Sequence, residues 1–64
     1  MIRINGENIA AEGMTIAGYL SDAGYDRDRV AVEINGLIVP KADYDQRRLA
    51  EGDSVEVVSF VGGG

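Results

Sequence analysis

The 64-residue chain contains no Cys, His or Trp, so it has no disulfide and offers neither thiolate nor imidazole for catalysis or metal binding. One domain is the most this length supports, burying only about 60% of the unfolded surface, and its core must come from Ile, Val, Leu and a few rings. Eleven acidic against six basic residues give a net charge of −5, which argues against nucleic acid and anionic membranes and favours a basic protein partner.

The chain opens on an alternating strand, with Ile2 and Ile4 on one side and Arg3 and Asn5 on the other. Asn5-Gly6 is the hairpin dipeptide of a type I′ turn, which needs φ > 0 at both central residues. Residues 7–11 read as a returning strand whose one large apolar residue is Ile9. Gly13 breaks it. Thr15 is the expected N-cap of a helix, because its hydroxyl can accept a free N–H of the first turn. Met14 and Tyr19 have the spacing of a hydrophobic staple. Ile16, Tyr19, Leu20 and Ala23 recur at i, i+3, i+4 and i+7 and form the expected buried face. Gly24 suits the left-handed position after the last turn, with Tyr25 folding back toward Leu20 in a Schellman motif. Two turns of helix containing Gly18 cannot persist alone and must dock on a sheet.

Residues 26–29 form a charged connector. Val30, Val32 and Ile34 alternate with Ala31 and Glu33 in the clearest strand of the chain. Asn35-Gly36 marks a second hairpin, and residues 37–39 return until Pro40, which lacks a ladder N–H. Residues 41–50 are polar and irregular, with one helical turn expected around 44–49. Residues 51–53 turn into the last strand, 54–61. The order is hairpin, helix, hairpin, irregular crossover and strand, and the strongly patterned first and last strands are expected to pair centrally. The expected fold is α+β, a β-grasp with a mixed sheet of four to five strands on one short helix. Residues 1–61 form that domain and residues 62–64 a flexible glycine tail.

Little here can perform catalysis. The carboxylate pairs Asp26/Asp28, Asp43/Asp45 and Glu51/Asp53 fall in loops and turns, where a solvated role is the ordinary one. No Ca²⁺ loop, Walker loop or G-x-G-x-x-G occurs, and Ser21, Ser54 and Ser59 have no His to activate them. No signal-peptide pattern and no apolar run of about 20 residues occurs, so a cytoplasmic protein, monomeric when free, is expected.

The last strand is unusual. Val55 and Val57 share a face with Ser59 and Val61, which leaves Val58 and Phe60 on the other face, late in the strand. They form either an apolar patch for a partner or a flap over the core edge. Gly62-Gly63-Gly64 follows, either a frayed end or a thin thread able to enter a narrow channel.

The whole chain resembles the ThiS-like sulfur carriers of thiamine biosynthesis, a ubiquitin-related β-grasp family. The resemblance rests on Met1-Ile2-Arg3-Ile4-Asn5-Gly6, Thr15-Ile16 with Leu20, and Val32-Glu33-Ile34-Asn35 followed by Val39-Pro40. It is strongest in Glu51-Gly52-Asp53 leading into residues 55–64. The family shares two terminal glycines, where this chain has three. The resemblance implies a carrier and co-substrate, not an enzyme. A ubiquitin-activating-like (ThiF-type) adenylyltransferase would join the Gly64 carboxylate to AMP, using ATP and Mg²⁺ that it binds itself. A persulfide donor would convert the adenylate to a thiocarboxylate, and a ThiG-type thiazole synthase would take the sulfur. Gly62 and Gly63 would thread the partner's active site, and Val58, Phe60 and Val61 would dock, with no bound cofactor or metal. A small subunit of molybdopterin synthase and a ubiquitin-like modifier or interaction module are the alternatives.

Overall fold

The computed structural model describes residues 1–60. Five strands form one sheet: β1 (Ile2–Ile4), β2 (Glu7–Ile9), β3 (Val30–Ile34), β4 (Leu37–Ile38) and β5 (Ser54–Ser59). Their order is β2-β1-β5-β3-β4. The first and last strands lie side by side at the centre and run parallel, while the other neighbours are antiparallel. One helix, α1 (Ile16–Ala23), supplies the second layer. This is the expected β-grasp. No helix among the described residues is long and apolar enough to cross a membrane.

The local signals act as their chemistry requires. Both hairpins turn at Asn-Gly with φ of 51° and 83° at Asn5-Gly6 and 53° and 86° at Asn35-Gly36, the signs of a type I′ turn. Thr15 caps α1, its hydroxyl accepting the Gly18 N–H at 3.0 Å. At the other end Gly24 is left-handed at φ 86°. The Tyr25 N–H donates to the Leu20 carbonyl at 2.8 Å and the Gly24 N–H to the Ser21 carbonyl at 3.2 Å, which is the Schellman pair. Removing the first cap is a contained perturbation. Thr15→Ala is expected to cost about 1 kcal/mol in urea titration, because one first-turn donor loses its partner.

Several boundaries differ from expectation. The second strand stops at Ile9 instead of residue 11, and Ala11 turns inward to become fully buried core. The fourth stops at Ile38 instead of residue 39, although the Val39 N–H still donates to the Val32 carbonyl at 2.9 Å. Ala23 is exposed, so the buried face of α1 reduces to Ile16 and Leu20, with Tyr19 and Ala17 packed at its margin.

The largest difference lies in residues 41–50. The 3₁₀ turn forms at Lys41–Asp43, not around residues 44–49. Tyr44 and Leu49 then enter the core beside Ile2, Ile16 and Leu20. The segment is held by backbone, not by regular pairing. The Ala17 N–H donates to the Tyr44 carbonyl and the Leu49 N–H to the Met14 carbonyl, each at 2.8 Å, and the Ile16 N–H to the Arg47 carbonyl at 3.0 Å. The bonds from Ala17 and Ile16 satisfy the N-terminal end of α1, whose first N–H groups have no partner within the helix, and the bond from Leu49 completes an antiparallel bridge between Thr15 and Arg48.

Candidate functional site

The helix covers one face of the sheet and leaves the other open. On β5 the buried positions are Val55 and Val57, so Ser54, Glu56 and Val58 face outward. Val58 stands opposite Ala31, and Glu56 opposite Glu33. Glu33 in turn stands opposite Ile38, and Arg3 shares the face beside Ser54. Val58 and Phe60 are each 55% exposed and Ile38 is 72% exposed. Phe60 therefore does not fold over the core, although its N–H donates to the Arg29 carbonyl at 2.7 Å and keeps it beside β3. The expected docking residue Val61, and Gly62, Gly63 and Gly64, lie outside the described residues.

Ile38 was not singled out from the sequence, and its neighbour Leu37 is 74% exposed at the hairpin tip. The signal for Ile38 was present. A two-residue turn at Asn35-Gly36 forces the 34–37 and 33–38 pairs, and Glu33 points outward, so Ile38 must point outward too. The open face thus carries Val58, Ile38 and Phe60 together with the carboxylates of Glu33 and Glu56. Like charges directly opposite one another destabilise a sheet. Among the described residues neither carboxylate forms an ion pair.

Asp26, Asp45 and Asp53 among the loop carboxylates have structural work. Asp26 accepts the Asp28 N–H at 2.9 Å and caps the 3₁₀ turn Arg27–Arg29. Asp53 accepts the Ala50 N–H at 2.9 Å. Asp45 meets Arg27 in a two-pronged pair, with N···O distances of 2.9 and 3.2 Å. Those bonds hold the Asp45 carboxyl below its ordinary value and raise Arg27. The guanidinium of Arg27 also lies 5.6 Å from the centre of the Tyr44 ring.

Comparison with known proteins agrees with this geometry. The ThiS family profile matches residues 1–64. A thiazole synthase of Paramagnetospirillum magneticum is 48% identical over 63 residues, 95% of this chain and 19% of that protein. A thiazole synthase of Magnetococcus marinus is 44% identical over 64 residues, 98% of this chain and 20% of that protein. The chain thus spans about a fifth of the length of these two relatives. The sulfur carrier protein ThiS of Thermus thermophilus is 36% identical over 64 residues, the full length of both chains. Among solved structures, the ThiS crystal structure from Geobacter metallireducens superimposes with a TM-score of 0.77 at 30% identity, covering 98% of this chain and 97% of that one. With the β-grasp sheet, the open apolar face and a match along its whole length, the chain belongs to the ThiS family.

Proposed function

We propose that this protein is a sulfur carrier that supplies thiazole formation in thiamine biosynthesis. The observation that carries the reading is the family match over residues 1–64, glycine end included. An exposed apolar face at the end of β5 supports it, because those residues stand immediately before the glycines. The Gly64 carboxylate is the reacting group. It is inert until activated, and that activation comes from a partner enzyme. A ThiF-type adenylyltransferase supplies ATP and Mg²⁺ and forms the acyl-adenylate. A persulfide donor provides sulfur, and a ThiG-type synthase receives it from the thiocarboxylate. The part played by this chain is to dock, to deliver a thread thin enough for an enclosed site, and to present an unhindered carbonyl.

Docking falls to Val58, Phe60 and Ile38, with Glu33 and Glu56 directed toward basic side chains of the partner. Encounter between oppositely charged surfaces is accelerated by such an arrangement and weakened by salt. Phe60→Ala therefore separates binding from folding. The side chain is 55% exposed, so the denaturation midpoint should move far less than the ~3 kcal/mol typical of a core Phe. Affinity for the adenylyltransferase, read by calorimetry, should fall by about tenfold or more, as for an interface aromatic. A large stability loss with unchanged affinity would make Phe60 a core residue.

The direct test of function is the intact mass of the protein from its native host at high resolution. A carrier shows the gain of one sulfur for one oxygen, localised to the C-terminal peptide. An isopeptide bond from Gly64 to a lysine would identify a modifier instead.

A further inference from the structure

The pairing of β1 with β5 ends early. Its register runs Arg3 to Ser54 and Ile4 to Val55, and the last backbone bond is from the Asn5 N–H to the Val55 carbonyl at 2.9 Å. The chain then turns away through Asn5-Gly6. Along a strand the bonding groups of successive residues point to alternate sides, so Val57 is the next residue of β5 to face β1. No backbone of β1 remains to meet it. The Asn5 side chain does so: its Oδ1 accepts the Val57 N–H at 2.8 Å, and its Nδ2 donates to the Val57 carbonyl at 3.3 Å. A carboxamide carries the same donor and acceptor as a peptide group. It adds one rung to the parallel ladder after the strand itself has ended. On the other side β5 remains paired with β3 as far as Val30 and Ser59.

We propose that Asn5 is a positioning residue for the carrier end, resting on the carrier reading above: its carboxamide fixes the last part of β5, so that Val58 and Phe60 face the partner in one orientation. Two demands coincide at this position. The backbone sits at φ 51°, which Asn, Asp and Gly tolerate best, and the side chain must both donate and accept. Gly satisfies only the first demand. Asp satisfies the first and half of the second, since its carboxylate can accept the Val57 N–H but faces the Val57 carbonyl with no proton to give. Asn35 provides a natural control. It occupies the same place in the second hairpin at φ 53°, yet its side chain meets Ser54 N–H at 3.0 Å and Asp53 at 3.2 Å, at the opposite end of β5.

The experiment compares the wild type with Asn5→Gly, Asn5→Asp and Asn35→Gly. Amide exchange in the free protein reads the strand, and steady-state adenylation by the activating enzyme reads the function. The Val58 and Phe60 amides, which face β3, should exchange about tenfold faster in both Asn5 variants, the scale of one or two net hydrogen bonds. The KM for the carrier should rise by about the same factor while kcat stays within about twofold, because the body is loosened and the reacting end is unchanged. Asn35→Gly should lower the denaturation midpoint yet leave the KM and the two amides near wild type. Unchanged exchange at Val58 and Phe60 in the Asn5 variants, or an equal rise in KM for Asn35→Gly, would overturn the proposal. If the wild type itself is not adenylated, the carrier reading fails, and the positioning role, which rests on it, falls too; the exchange measurements then report only whether Asn5 holds β5.

Discussion

Removing Gly64 from the 64-residue chain is expected to abolish adenylation and to leave the denaturation midpoint where it was. The two halves of that result have separate causes. Among the described residues every buried apolar side chain lies between Ile2 and Val57, so the deletion takes nothing from the core. Reaction, in contrast, depends on reach. One extended residue spans roughly 3.3–3.6 Å, and reacting atoms must approach to about 3–3.5 Å, so a chain one residue short leaves its carboxylate about one full residue away from the nucleotide. On the carrier reading, moving the body to lengthen the reach would undo the docking of Val58 and Phe60, carried on or directly after β5. Ordering the glycines in an enclosed site also costs about 1–2 kcal/mol per residue or more, which glycine has no side chain to offset. Body docking must offset it. A synthetic peptide of residues 60–64 should therefore be a very poor substrate even with Gly64 present. Pyrophosphate release assays decide both points. Full activity of the truncated chain would remove Gly64 from the reaction, and efficient adenylation of the peptide would remove the docking face.

Tyr44→Ala is expected to destabilise the fold by about 3–5 kcal/mol, the range for deleting a buried aromatic ring. A 64-residue domain holds roughly 3–10 kcal/mol in all, so the loss takes from about a third to the whole of its stability. Tyr44 is the largest of the fully buried side chains, at 1% exposure. Its carbonyl accepts the Ala17 N–H, which ties the crossover segment to the first turn of α1. Arg27 lies over its ring and is held there by Asp45. Loss of the ring thus leaves a cavity between helix and crossover and frees a guanidinium held against it. Circular dichroism during urea titration measures the effect. Tyr44→Phe keeps the ring and should recover most of the stability. A wild-type midpoint for Tyr44→Ala would show that the segment contributes no core.

Short-range chemistry was readable directly from the amino-acid order. Asn5-Gly6 and Asn35-Gly36 bend where they must because few residues accept φ > 0 in succession. Thr15 and Gly24 bound α1 because each satisfies backbone groups a few bonds away. The alternation of Val30, Val32 and Ile34 selects the buried face of β3 whatever lies opposite. The same count along β5 puts Val58 and Phe60 on the face opposite Val55 and Val57; that Phe60 stays exposed there and does not fold over the core edge was decided by the tertiary structure.

Only the tertiary structure decided the rest. Tyr44 and Leu49 sit in a polar, aperiodic stretch, and nothing local distinguishes them from exposed residues. They are buried because the crossover from β4 to β5 has to pass the open end of α1, where unpaired N–H groups capture its carbonyls. Ala23 has helical spacing yet remains in solvent, since periodicity does not say how far along a helix the covering surface extends. The carboxamide of Asn5 reads as a turn residue, and its bonds to Val57, 52 positions away, exist only because β1 and β5 run parallel and β1 stops one rung short. Periodicity and turn chemistry act over a few residues. Which strand end meets which segment depends on packing across the whole chain.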